Sequence, residues 1–570
     1  MPALLNPIEA HERNIGQIFS DDYSFEIPPY QRPYAWEEEQ ARELLSDLFN
    51  AMDNKGASGN IYFLGSIVLI KTPGLPQSKV IDGQQRLTTL TILLGVLRDL
   101  TSDLEIRIDR RGYVFQKGSA DKGTEDRFRL ALRPRDQAFF KKYVQQPDAT
   151  ENLPDFNQLT GSERRIIENA SYFRDQLQPA DEARRNKLVA FIIQRCYLVV
   201  VAVPTPDAAR RIFTVLNARG LDLAPTDILK ADLLERAGEA VEVPLAERWE
   251  AVEQWLGRDK FVELFGHIRM IYEREKPRSA LEDGFPPAVP IFAGDADTFI
   301  SNVLEPIADA YMLLNDSNQI DAQLGPEAAK AMRSLQRIDN KDWMPPILLR
   351  LWKRKAGDNV AVAQFLRDLE RLAYFLFVTR ADVNVRMARF AAVMDEYEPR
   401  PATVLSTQGL MLSAEEQANF ISALSGPLYR LGRVCRPVLQ RLDEALSSGG
   451  ASYDNLISIE HVLPQTVDTS STWATLFPNV TERAEWTHRL ANLVFLTRRI
   501  NTRASNWDFD RKKKEYFASK KDGTSPFPLT QGVLQASEWT VEHLRTRQKT
   551  LLVRLCEIWT LSGTALDQSA

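Results

Sequence analysis

A chain of 570 residues is longer than one hydrophobic core supports, so two or three domains are expected. Its 44% hydrophobic and 26% charged residues exclude a disordered or fibrous protein, and no apolar run approaches the ~18–20 residues of a membrane-spanning helix. A net charge of −6 argues against a general basic coat for nucleic acid. The three cysteines, Cys196, Cys435 and Cys556, lie too far apart for a CxxC zinc site or a disulfide framework, and are expected as buried or incidental thiols. Glu9 and Glu12 near the start, with no apolar segment, argue against a secretory signal; a cytoplasmic location with no membrane partner is expected.

In chain order, the first ~240 residues alternate strand-like and helix-like patterns. Residues 61–70 and 196–203 read as buried strands, and 79–81 as a short one ending at Asp82-Gly83. Leu87, Leu90, Leu94 and Leu97 then fall on one helical face. Helices are expected at about 207–219 and 226–236. From about 240 to 445 the pattern is almost all helix, including 361–377 and 414–424, without a motif that carries chemistry. Ser447 to Gly450 reads as a linker. Strands follow at 456–462 and 493–497, then a helix at 509–519.

The last of these regions holds the densest motif. Glu460-His461 sits in I-S-I-E-H-V-L-P-Q, Asn492 follows 31 residues after His461 in A-N-L-V-F-L-T, and Asn501 nine residues later in R-R-I-N-T-R. Hydrolysis of a phosphodiester needs a base for the attacking water and a cation for the developing charge. Histidine titrates near working pH, and glutamate and asparagine offer hard oxygen ligands. Eight arginines and lysines between Trp486 and Lys514 face two aspartates, a local basic patch that includes Arg498, Arg499, Lys512, Lys513 and Lys514. Those lysines could equally be a solvated helix face. Singly, Glu460-His461 reads as a surface pair, Asn492 as a turn residue and Asn501 as a helix cap.

Two further motifs lie near the N-terminus. I-P-P-Y-Q-R-P-Y-A-W (27–36) puts Tyr30, Gln31 and Arg32 after a rigid Pro-Pro step. V-I-D-G-Q-Q-R-L-T-T-L (80–90) runs a strand into Asp82-Gly83 and then a helix. Gly83 permits a tight turn, the helix start at Gln84-Gln85 offers free N–H groups, and Arg86 adds a forked cation, together suited to a nucleotide phosphate. A plain strand-to-helix turn with a structural Arg86 ion pair is the alternative. No Walker loop is present.

The C-terminal set resembles the HNH nuclease signature, the ββα-metal finger, over roughly 450–520. Ala491 stands where that family often has glycine, and Asn501 where its founding pattern has histidine. The N-terminal pair, with the later F-T-V-L-N-A-R-G-L-D-L-x-x-T-D-I-L-K at 213–230, resembles the ParB/sulfiredoxin-like D-G-Q-Q-R domain of GmrSD-type restriction proteins over about 10–240. The two together resemble the layout of GmrSD-like, type IV modification-dependent restriction enzymes. The resemblance implies an α+β multidomain chain: a ParB-like α/β NTPase domain at 1–240, a helical connecting region at 241–445 and an HNH nuclease domain embedded in helices at 446–570. It implies His461 as general base, Asn492 orienting it, and Glu460 and Asn501 holding Mg²⁺ or Mn²⁺. It implies Asp82, Gly83, Gln84, Gln85, Arg86, Gln31 and Arg32 around a nucleoside triphosphate, whether ATP, GTP or UTP. Tyr30, Arg498, Arg499 and Lys512 to Lys514 would meet DNA or its modification. The expected activity is nucleotide-regulated, metal-dependent cutting or nicking of modified phage DNA; a homodimer is compatible. A ParB-like DNA clamp with an inactive finger is one alternative, and an NTPase acting on RNA or nucleotide pools is another.

Overall fold

The computed structural model describes residues 9–54, 61–205, 208, 224–398, 409–447, 457–497, 506–514, 518–519 and 523–562. The chain divides into two compact units, Met1–Ala251 and Val252–Ala570, so the segments 241–445 and 446–570 fall largely within the second.

The first unit is built on a six-stranded sheet. Its strands are β1 (Glu9–Asn14), β2 (Ser24–Glu26), β3 (Tyr62–Lys71), β4 (Gln77–Asp82), β5 (Leu130–Ala131) and β6 (Cys196–Val203), in spatial order β1-β6-β3-β4-β2-β5. β6 pairs parallel with β3 and antiparallel with β1, and β4 pairs antiparallel with β3 and parallel with β2. β6 lies between two strands, which is why C-Y-L-V-V-V-A-V is continuously apolar. β1, E-A-H-E-R-N, takes an edge, where charged side chains discourage pairing with another chain. Its charge hid it from the hydrophobic pattern.

Helix α1 (Gln84–Asp99) follows β4 through Gly83. The four leucines expected on one face are buried, each stabilising the fold by roughly 1.5–3 kcal/mol. Their helix is not amphipathic, however. Thr88, Thr89, Thr91, Arg98 and Asp99 are buried too. Arg98 is satisfied internally, by Asp99 and the carbonyls of Val144, Gln145 and Gln146. Other helices cover the side that the sequence assigned to solvent, among them 161–177. Helix α2 (Pro225–Ala237) matches the helix expected at 226–236; the one expected at 207–219 lies almost wholly outside the described residues.

In the second unit helices dominate, among them α3 (Asn359–Val378) and α4 (Val383–Tyr397). They are followed by an antiparallel pair, β7 (Ile457–His461) and β8 (Leu493–Thr497), with Glu460 opposite Val494 and His461 opposite Leu493. A short helix, α5 (Phe509–Lys512), comes next, and α6 (Val541–Ile558) closes the unit. The expected helix at 509–519 is therefore shorter, since Ala518–Ser519 form a two-residue strand with Gly523–Thr524. Val462, Trp473, Phe477, Val494, Phe509 and Trp539 form one apolar cluster beneath the strand pair. Among the described residues no helix is long and apolar enough to cross a membrane. The three cysteines are free and buried; burial pushes Cys196 and Cys435 up to about 12 and Cys556 to about 11.

Candidate functional site

In the first unit three stretches far apart in sequence converge. Gln31 donates from Nε2 to the Ile81 carbonyl at 2.9 Å, tying the Y-Q-R loop to the end of β4. Gln85 accepts from the Ala35 and Trp36 N–H groups (2.8 and 3.3 Å) and donates to the Pro33 carbonyl (3.1 Å). Arg32 reaches Asp227, in the first turn of α2, at 3.6 Å. Beneath them Arg133 joins Asp136, the Gln31 carbonyl and Glu250, and Lys230 donates to Glu250 at 2.6 Å.

Gly83 stands at φ +91°, and a Cβ there would meet Ile67 Cγ2 at 2.4 Å, so both conformation and space require glycine. Arg86 turns back to donate to the Ser66 carbonyl at 2.9 Å, passing Gly65 so closely that a Cβ would lie 3.0 Å from its Nη2. Gly65, at φ +101°, sits where β3 shifts register. The sequence signal was available: a glycine inside F-L-G-S-I-V marks a bulge or a close approach.

Gln31, Gln85 and Arg86, expected around a nucleotide, thus also bond the motifs to one another, and the Gln84 side chain is buried. Tyr30 is half-buried on the same loop. Arg32 keeps the more accessible charge, its side chain 33% exposed. Burial raises the Asp82 carboxyl and lowers Arg86, with Arg86 and Arg32 opposing the rise at Asp82. Thr226, at the start of α2, buries its hydroxyl without a partner among the described residues. An orphaned hydroxyl, two arginines and two helix starts fit an anionic group at this convergence.

At the C-terminal site, Glu460 and His461 end β7 and are both buried. Adjacent strand residues face opposite ways, and each has its own partners. Lys512, on α5, donates to Glu460 Oε1 at 2.9 Å and to the carbonyls of His461 and Val462 at 2.8 and 3.0 Å. It is 1% exposed, which corrects the expectation that it meets DNA phosphate. A buried ammonium is tolerated here because a carboxylate and two carbonyls surround it. Lys513 donates to the Ala536 carbonyl at 2.5 Å and is also largely engaged; Lys514 is exposed. Burial raises Glu460 and lowers Lys512, and each opposes the other's shift.

His461 lies edge-on to Tyr429, ring centroids 4.3 Å apart, and its Nε2 is 3.3 Å from His488 Nδ1. Gln465 Nε2 lies 3.3 Å from His461 Nδ1. Burial first, then the His488 and Lys512 charges, push His461 down to about 3, so the ring is held neutral. Asn492 does not hold this ring. Its Oδ1 accepts from the Leu463 N–H (2.7 Å) and Trp539 Nε1 (3.2 Å), and its Nδ2 donates to the carbonyls of Leu463 and Thr487. Asn492 is a fully bonded clamp that joins Leu463, just past β7, to Thr487 and Trp539, and the ring's neighbour is instead His488, which the sequence reading does not single out. As one of only five histidines, four residues before Asn492, it could have been singled out. Asn501, Arg498 and Arg499 lie outside the described residues.

The described part of the donor set is one carboxylate, Glu460, already shared with Lys512. Among the described residues no three His, Cys, Asp or Glu side chains gather so as to hold a metal ion, so Glu460 is the one described oxygen donor that the expected ion would have.

Residues 15–234, which contain the first convergence, match the N-terminal domain of GmrSD restriction endonucleases. Residues 415–553, which contain Glu460, His461, His488 and Lys512, match the C-terminal domain of the same enzymes. The chain belongs to the GmrSD restriction endonucleases. No curated protein matches it closely enough to count as a relative. As a GmrSD enzyme it is a restriction endonuclease, and its substrate is DNA. The helical stretch 235–414 falls between the two matched regions.

Proposed function

We propose that this GmrSD enzyme cuts or nicks modified foreign DNA with an HNH-type site at Glu460 and His461, under the control of a nucleotide held by its ParB-like N-terminal domain. The observation that carries the nuclease half is the corner at the end of β7, where a neutral buried imidazole adjoins a carboxylate–ammonium pair. His461 takes the proton of the attacking water, and a phosphate anion drawn to the site offsets the burial that lowers its basicity. His488 and Tyr429 fix the ring's orientation. Glu460, with Asn501, would hold Mg²⁺ or Mn²⁺, which supplies charge for the phosphate and the leaving oxygen. Lys512 keeps Glu460 ionised and its strand end in place.

The nucleotide half rests on the convergence of Arg32, Asp82, Thr226 and the start of α1. Arg32, the less engaged of the two arginines, would bind phosphate directly, with Arg86 shaping the loop behind it.

Plasmid nicking tests the proposal, with and without divalent metal and each nucleoside triphosphate, on unmodified, base-modified and phosphorothioate DNA. His461→Ala is expected to lose about 10²–10⁴ in cleavage rate while hydrolysing nucleotide normally. Cutting at the wild-type rate by His461→Ala, or full activity in EDTA, would refute the site.

A further inference from the structure

The helical part of the second unit contains a pocket of about 340 Å³ lined by Arg380, Arg386 and Arg433 together with Asn340, Leu376 and Phe377. Arg386 pairs with Asp342 at 2.7 Å, and Arg433 pairs with Asp339. Arg380 has no carboxylate partner among the described residues; it donates to the Arg430 carbonyl at 3.2 Å. Its backbone is unusual. Arg380 stands at φ +57° just past the end of α3, where the Ala381 N–H closes back on the Leu376 carbonyl at 2.9 Å. That is the left-handed position at which glycine is favoured, and here it presents a long cationic side chain.

The pocket is joined to the nuclease corner by a seven-residue segment, Leu428–Val434, kinked at Gly432. Tyr429 on this segment rests on His461, while Leu431, Arg433 and Val434 line the pocket. From Tyr429 to Arg433 the chain can span at most about 14 Å, the axial rise of roughly four phosphates on one DNA strand. Arg430, between them, is exposed; burial first, and then the Arg430 charge, hold His488 below the usual histidine value.

We propose that this arginine pocket binds a backbone phosphate of the DNA strand whose neighbouring phosphodiester is cut at His461. The inference rests on the nuclease reading above. It gives the helical stretch a role that its sequence did not reveal: seating the strand a few nucleotides from the reaction. Guanidinium forks suit phosphate oxygens, and the exposure of Arg380 and Arg433 leaves the pocket open to a large ligand.

The test uses the full chain carrying His461→Ala, so that DNA is bound without being cut. Duplex DNA binding is followed by fluorescence anisotropy from low to high salt. Arg380→Gly removes the side chain while giving the left-handed position its favoured residue, so folding is preserved. It is expected to keep the thermal midpoint, to weaken DNA binding about three- to ten-fold, and to reduce the slope of log affinity against log salt by about 0.9. Adding Arg433→Glu is expected to weaken binding further. Wild-type affinity and slope in Arg380→Gly would overturn the pocket and leave the nuclease reading standing. Loss of nucleoside triphosphate binding with DNA binding intact would also overturn it, reassigning the pocket to free nucleotide. If the wild-type chain neither binds nor cuts duplex DNA with metal and nucleotide present, the nuclease reading fails and the pocket with it.

Discussion

The two motif-bearing regions use polar side chains in opposite ways. In the first unit Gln31, Gln85 and Arg86 spend their hydrogen bonds on backbone groups, binding three stretches of chain into one convergence. At the C-terminal corner Glu460, His461, His488 and Lys512 meet largely through their side chains. The N-terminal motif residues therefore act first as architecture, joining chain segments through their backbone groups. At the C-terminal corner the charges and imidazoles meet one another, which is the arrangement that the proposed nuclease reading uses. The N-terminal convergence is thus held by amide and guanidinium bonds to backbone carbonyls and N–H groups above a layer of ion pairs, Arg32–Asp227, Arg133–Asp136 and Lys230–Glu250.

The strongest test of that contrast is Lys512→Met. It strands the buried Glu460 carboxylate, and loss of one partner from a buried pair costs about 3–5 kcal/mol. Thermal melts are expected to fall by several degrees, and the double variant with Glu460→Gln is expected to recover most of the loss. A single variant as stable as wild type would show that the pair is not held as described.

A pH series gives a smaller effect. His461 is lowered to about 3 when folded, so between there and ~6.5 the unfolded chain binds the proton that the folded chain refuses. Its contribution is fully present above ~6.5 and is lost as pH falls toward 3, amounting to about 2 kcal/mol between pH 8 and pH 5. His461→Gln should flatten this part of the stability profile; an unchanged pH dependence in that variant would contradict the buried neutral ring.

The smallest effect is expected in the first unit. Gln85→Ala removes neutral hydrogen bonds and should cost about 1–2 kcal/mol in melts, while weakening nucleotide binding less than Arg32→Ala does. A Gln85→Ala defect in nucleotide binding larger than that of Arg32→Ala would reverse the roles assigned to them.

What was legible in the sequence follows from range. The strands 196–203 and 493–497 were read to the residue because their apolar runs are sharply bounded. The Glu460-His461 pair and the Asp82-Gly83 turn were visible because each is local. Lys512 was misread because the residue that buries it, Glu460, lies 52 positions away, and three consecutive lysines look like a surface. Asn492 was misassigned for the same reason: its partners include Trp539, 47 residues on. Helix α1 looked one-sided because the threonines and Arg98 that its neighbours bury are polar. The arginine pocket draws on helices α3 and α4 and on the turn after residue 427, and no contiguous motif announces it.

The burial of the three free thiols has a practical use. Cys196, Cys435 and Cys556 are enclosed and, with thiols pushed to about 11–12, scarcely ionise at neutral pH. The native chain is therefore already a quiet background for maleimide chemistry. A single cysteine placed at an exposed position of each unit, for example Leu104→Cys and Val360→Cys, would take a donor and an acceptor dye with no native residue removed. Energy transfer between them would then follow, in an otherwise native enzyme, whether nucleotide changes the distance between its two halves.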